Sequence, residues 1–142
     1  MTARWAAVVV NYDAGPLLET CVRSVLADIS AGAAELVVVD NASSDDSVAV
    51  MQAALPDVRV VRAPRNLGYA RAANLGIAAT RAPFVAVLNA DTRLDEGAGA
   101  AMVARLESQP RVGACGKQRI ERGDIICVSF NCGLPVFQLL WP

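Results

Sequence analysis

The sequence predicts an α/β fold: a mostly parallel sheet flanked by helices on both faces and followed by a C-terminal hairpin. Three observations carry that prediction. Short apolar runs alternate four times with helical segments through short connections, as in parallel strands joined by covering helices. The runs Val8-Val9-Val10, Leu36-Val37-Val38-Val39 and Phe84-Val85-Ala86-Val87-Leu88 are apolar throughout, as strands buried on both faces are. Each run also stops at polar residues, Asn11-Tyr12-Asp13, Asp40-Asn41 and Asn89-Ala90-Asp91, where open α/β sheets collect their ligands.

Taken in order, Trp5 to Val10 is the first strand, and Gly15-Pro16 opens a helix with proline near its first turn. Leu17, Leu18, Cys21, Val22, Val25 and Leu26 give that helix one apolar face, and the loop holding Gly32 ends it. After the strand at 36–39, Ser43, Ser44 and Asp45 offer capping side chains for a helix from Asp45 to Ala54, which Pro56 terminates. Val58 to Arg62 is a short third strand, and a helix from Tyr69 to Thr80 leads to the strand at Phe84. A capped helix from Asp95 to Ser108 and a fifth short strand, Val112 to Cys115, complete the alternation. Beyond Gly116, Gln118–Glu121 and Asp124–Ser129 flank Arg122-Gly123 as a hairpin would.

Composition narrows the function. A chain of 142 residues makes one domain with a real core, and no run in it approaches the ~20 apolar residues that span a bilayer. The start at Met1 lacks the layout of a signal peptide, so a cytoplasmic location is expected. A net charge of −1 with scattered basic residues argues against a nucleic-acid partner. With no histidine and no Cys-x-x-Cys among the four cysteines, zinc sites and histidine-based triads drop out. Those cysteines read as small buried apolar residues. The apolar stretch 136–141, with Trp141 near its end, looks like a surface awaiting a packing partner, and the chain reads as the first part of something longer.

Asn89 and Asp91 alternate onto one side of the extended chain while the small Ala90 points away. A carboxylate beside a neutral amide suits Mg²⁺ or Mn²⁺ carrying a diphosphate. The competing reading makes Asp91-Thr92 a plain cap for the next helix. Other phosphate-binding solutions are absent: no glycine triplet follows the first strand, and there is no Gly-x-x-x-x-Gly-Lys-Ser/Thr loop. A phosphate-receiver domain is excluded as well, since the third strand ends in Val61-Arg62-Ala63 rather than an acceptor aspartate.

Four motifs, Val8-Val9-Val10-Asn11-Tyr12, Val37-Val38-Val39-Asp40-Asn41-Ala42-Ser43-Ser44-Asp45, Arg65-Asn66-Leu67-Gly68-Tyr69 and Leu88-Asn89-Ala90-Asp91-Thr92, resemble the family 2 glycosyltransferases in order and spacing. Within them the rhamnosyltransferase- and galactofuranosyltransferase-like members that build cell-surface polysaccharide are the nearest group. The likeness runs from Trp5 to Gly116. It implies a GT-A fold, with residues 1–116 as the nucleotide-sugar-binding half and 117–142 as the hairpin and start of a truncated acceptor-side half.

By the same resemblance Asn11 and Tyr12 edge the base pocket, Tyr12 stacking on uracil or thymine, unless it is only a rim residue over the first helix. Asp40 accepts from the base imide or a ribose hydroxyl, whereas Asn41, Ser43, Ser44 and Asp45 either touch ligand or cap the next helix. Asn66 and Gly68 form a turn against the nucleotide, with Asn74 a further contact and Arg71 either a contact or a solvated charge. Asn89-Ala90-Asp91 stands for the family's Asp-x-Asp with Asn at its first position. Asp91 is then the metal ligand, Asn89 meets ribose or sugar, and the cation is weakly held without nucleotide. The implied reaction is metal-assisted, inverting sugar transfer from a UDP- or dTDP-linked donor to a glycan or lipid-linked glycan acceptor, near the inner membrane face when the acceptor is lipid-linked. No catalytic base is assigned, because Glu121 and Asp124 read as solvated hairpin residues. A non-catalytic nucleotide-sugar-binding fragment or partner module is the alternative.

Overall fold

The computed structural model describes residues 4–29, 34–109 and 111–115 in full, and the backbone of 117–119 and 125–127. Chain order is β1 (Trp5–Asn11), α1 (Leu17–Ile29), β2 (Ala34–Asp40), α2 (Ser47–Ala54), β3 (Arg59–Arg62), α3 (Tyr69–Ala78), β4 (Phe84–Asn89), α4 (Ala98–Ser108), β5 (Lys117–Arg119) and β6 (Ile125–Cys127). The first four strands form one parallel sheet in the order β3-β2-β1-β4. β5 and β6 pair antiparallel, Gln118 opposite Ile126, while Arg122-Gly123 lies outside the described residues.

β1 is the centre of the sheet, and all seven of its residues are buried. Its alternating side chains divide the core in two. Trp5, Ala7 and Val9 pack with Leu18, Cys21, Val22 and Val25 of α1, Val48 and Met51 of α2 and Val103 of α4. Val8 and Val10 join Val37, Val39 and the small Ala72 and Ala73 of α3 on the other face. The layering is therefore helix, sheet, helix, as the apolar runs predict.

α3 rests directly on the sheet. A Cβ at Gly76 would overlap Val8 Cγ1 and come within 2.8 Å of Val39 Cγ2, so a hydrogen is the only substituent that fits. The alanine-rich face of this helix thus reflects close approach to the central strands rather than a weak core.

Several boundaries differ from the sequence reading. β4 lies at the edge of the described sheet and its first five residues are half-buried, not buried on both faces, because no further described strand pairs with its outer side. Val112 to Cys115 is not a strand of the sheet; Ala114 alone makes a bridge pairing. α2 begins at Ser47 rather than Asp45 and α4 at Ala98 rather than Asp95, neither with a side-chain bond at its N-cap. The apolar segment 136–141 and the acids Glu121 and Asp124 lie outside the described residues.

Replacing Gly76 by alanine is expected to destabilise the fold by roughly 1–3 kcal/mol through overpacking, read as a lower urea midpoint with an unchanged slope.

Candidate functional site

β1 and β4 are adjacent although β2 and β3 come between them in the chain, so the carboxyl ends of β1 and β4 mark the point where strand order reverses. Open α/β sheets form their binding crevice there. Hydrogen bonding continues past the strand tips: Asn41 N–H donates to Asn11 C=O (2.8 Å), Ala63 N–H to Asp40 C=O (2.8 Å) and Ala90 N–H to Val10 C=O (3.2 Å). The polar tips therefore form one continuous edge rather than separate loops.

Asn11 lies fully inside that edge. Its side-chain N–H₂ donates to Ser43 Oγ and Ser47 Oγ, both at 2.9 Å. Tyr12, in contrast, is 53% exposed. The loops after β1 and β2 are laced reciprocally. Asp13 Oδ1 accepts from the N–H groups of Ser44 (2.6 Å) and Asp45 (3.2 Å), and Asp45 Oδ2 accepts from Gly15 N–H (2.8 Å). Asp45 also takes the Ser47 hydroxyl, which is the main reason its carboxyl sits below the ordinary range. Ser43 and Ser44 thus face the β1 loop, whereas Asp45 alone reaches a first-turn group of α2, the Ser47 N–H at 3.2 Å.

Asp40 is buried, and both carboxylate oxygens have protein partners. Oδ1 accepts from Ser43 N–H at 3.1 Å, and Oδ2 from the largely exposed Arg62 at 3.0 Å. Asn41, also buried, clamps the turn before α3. Its amide donates to Asn66 Oδ1 (3.0 Å) and its oxygen accepts from Leu67 N–H (2.8 Å), while Asn66 Oδ1 also accepts from Gly68 N–H (2.9 Å). Gly68 follows at φ 77°, ψ 162°, a conformation open to glycine and costly for other residues. It stands at the N-cap of α3 without a side-chain cap, and Ala72 N–H is the helix's bond back to Gly68 C=O (3.1 Å). Asn66, Asn74 and Arg71 are exposed.

Past β4 the chain turns at once, Thr92 N–H bonding Asn89 C=O at 3.0 Å. Strand alternation stops at Asn89, yet Asn89 and Asp91 are exposed and Ala90 is buried, so the outward pair survives in the turn. Asp91-Thr92 does not cap a helix, since α4 starts only at Ala98. Beneath the turn lies Cys21, whose Sγ contacts Asn89 C=O at 3.6 Å. Its thiol is pushed up to about 11, by burial first and by the charge of Asp91 second. Tyr69, the first residue of α3 and 45% exposed, has its phenol raised for the same two reasons, burial first. The Tyr69 phenol, like the Cys21 thiol, thus feels the charge of Asp91. Tyr69 is the residue that sequence reasoning passed over; it stood in the third motif without a role.

Among the described residues no group of three or more His, Cys, Asp or Glu side chains is arranged to hold a metal ion by itself. Asp91 carries its charge to Cys21 and Tyr69 without an ion pair among the described residues. The donor set fits a hard cation that takes its remaining oxygens from a bound ligand and water.

Fold and site together define an α/β domain with a ligand crevice at a strand-order reversal and the exposed carboxylate of Asp91 at the tip of β4. Residues 6–125 match the model of Glycosyl transferase family 2, and the chain belongs to that family. It is 43% identical over 89 residues to an uncharacterized glycosyltransferase of Mycobacterium tuberculosis, covering 63% of this chain and 39% of that protein. It is 38% identical over 86 residues to the succinoglycan biosynthesis protein ExoO of Rhizobium meliloti, covering 59% of this chain and 24% of that protein. Among solved structures it is similar to the mannosyltransferase PcManGT from Pyrobaculum calidifontis, in complex with GDP-Man and Mn²⁺. The TM-score there is 0.68 at 26% identity, over 83% of this chain and 36% of that one. Residues 1–349 of S. aureus TarS, in complex with UDP-GlcNAc, share the fold at a TM-score of 0.64 and 16% identity, over 78% and 32% of the two chains. The fold is GT-A, and the chain spans less than two fifths of the length of these proteins.

Two outcomes follow from this geometry. Asn41→Ala leaves the Leu67 N–H without its acceptor and releases the turn before α3, lowering stability by about 1–3 kcal/mol in urea unfolding. The Cys21 proton is held more tightly in the native state, at about 11 against an ordinary 9.0, so its contribution is full below pH 9 and is lost as pH rises through 11. The stability advantage of the wild type over Cys21→Ala is expected to narrow across that window by roughly 2–3 kcal/mol, measured by urea titration at each pH.

Proposed function

We propose that this chain is the donor-binding part of a glycosyltransferase that moves a sugar from a nucleoside-diphosphate donor to a hydroxyl of a growing cell-surface polysaccharide. The observation that carries the reading is Asp91, an exposed carboxylate at the reversal point of a family 2 glycosyltransferase sheet. Similarity to a succinoglycan biosynthesis protein supports a polysaccharide product, and the motifs favour the rhamnosyltransferase- and galactofuranosyltransferase-like branch.

In this reading the pyrimidine base of a UDP- or dTDP-linked donor lies over Tyr12. Asp40 and Asn66 take polar contacts, and Asn11 acts from below by fixing Ser43 of the loop after β2 and Ser47 at the start of α2. The uncapped start of α3 after Gly68 turns its positive end toward the diphosphate. Asn74 adds a contact from the same helix, and Asn89 faces ribose or sugar. Mg²⁺ or Mn²⁺, held by Asp91 with the donor's own oxygens, would neutralise charge on the departing diphosphate. A structural neighbour in complex with Mn²⁺ supports the choice of a divalent ion.

Transfer is taken to invert the anomeric carbon, with the acceptor's proton going to a carboxylate base. We place that base on the acceptor side of the whole enzyme, of which residues 117–142 are the beginning and 1–116 the donor half. The acceptor is a glycan or lipid-linked glycan, which puts the enzyme at the cytoplasmic membrane face. No described helix is long and apolar enough to cross a membrane. Because the chain spans a minor part of its relatives, donor binding without turnover is the second reading for these residues alone.

Donor binding is tested by thermal shift. UDP or dTDP with Mn²⁺ is expected to raise the melting temperature, by about 2.7 kcal/mol of stabilisation at a hundredfold excess over Kd. Asp91→Ala should remove the Mn²⁺-dependent part. No shift with either nucleotide in the wild type overturns the reading.

A further inference from the structure

Between the end of β4 and the start of α4, residues 90–97 form no helix or strand, yet this segment carries the Asp91 carboxylate. Three residues of α1 hold its middle and its two flanks, the end of β4 and the first turn of α4. Cys21 Sγ contacts Asn89 C=O at 3.6 Å, Ser24 Oγ accepts from Leu94 N–H at 3.0 Å, and Asp28 Oδ2 accepts from Gly99 N–H at 3.0 Å. Positions 21, 24 and 28 fall on one face of a helix. That face also buries Val25, so the polar groups are embedded in the apolar seam between α1 and the sheet.

Each of these bonds goes to a backbone group, so the stripe fixes the path of the segment whatever side chains it bears. Ser24 holds the middle. Its hydroxyl donates to Cys21 C=O at 2.7 Å, which directs a lone pair outward to Leu94 N–H, three residues beyond Asp91. The hydroxyl is therefore oriented before it meets its partner, and an alanine in its place leaves that N–H without an acceptor.

We propose that Ser24 is a positioning residue for the cation-binding turn: through Leu94 it sets where the Asp91 carboxylate stands relative to the bound diphosphate. This rests on the metal assignment made above for Asp91. The role differs from general support of the fold, because α1 keeps its apolar contacts when the hydroxyl is removed.

The test uses the full 142-residue chain with UDP as probe. Calorimetric Kd values with and without Mn²⁺ give the Mn²⁺ enhancement for the wild type, Ser24→Ala and Ser24→Thr. Amide hydrogen exchange at Leu94 is followed in the metal-free proteins. Ser24→Ala is expected to speed exchange at Leu94 and cut the Mn²⁺ enhancement roughly 5- to 10-fold, with the metal-free Kd unchanged, while Ser24→Thr restores both. A full enhancement in Ser24→Ala, or an equal loss of metal-free binding, overturns the proposal and leaves Asp91's role standing. A wild type that binds UDP with no Mn²⁺ enhancement overturns the metal assignment and this proposal with it.

Discussion

Hydrogen bonding beyond the ends of the strands is the constraint on which the crevice depends. Three backbone bonds, from Ala63, Asn41 and Ala90 to the neighbouring tips, keep the chain in sheet-like register for one residue after each strand has ended. The tips can then diverge only in their side chains. That allows Asn11, Asp40 and Asn41 to be buried within hydrogen-bonding reach of neighbouring loops, while Tyr12, Asn89 and Asp91 remain at the surface. Asn11 is held by Ser43 and Ser47 and Asn41 by Asn66 and Leu67, so losing either amide unsettles two segments at once.

The sheet itself was legible because its valine-rich strands are too short and too uniformly apolar to be read otherwise. β1 buries its whole run and β2 buries Val37, Val38 and Val39, and β1 and β2 each pair with the strand that follows in the chain, while β4 returns to the far side of β1. Val112 to Cys115 was not so constrained, since four apolar or small residues beside a helix end carry no register of their own. β4 read as central because its composition matches that of β1, and composition reports side-chain burial without reporting which edge is paired.

The candidate site was legible as a set of positions and much less so as a set of partners. Asparagine or aspartate at a strand tip is the same letter whether it meets a ligand or a neighbouring loop. Asn41 spends both ends of its amide on residues 66 and 67, and Asp40 gives one carboxylate oxygen to Arg62, 22 residues away, pairings that no local pattern encodes. Tyr69 was hidden for the opposite reason. Its phenol feels the charge of Asp91, which stands 22 residues later in the sequence and outside its helix. Residues joined by close local spacing could be read; those joined across the sheet had to be seen.

The three bonds from α1 also bear on how the molecule comes together. They close separations of 68, 70 and 71 residues, against only a few for a helical turn. Closing a loop of that length costs entropy before any contact returns it, and such contacts slow the final steps of folding. The carboxylate-bearing segment is therefore tied to α1 by contacts nearly as long in sequence as the pairing of β1 with β4, where Trp5 meets Phe84, so its shape depends on the sheet having closed.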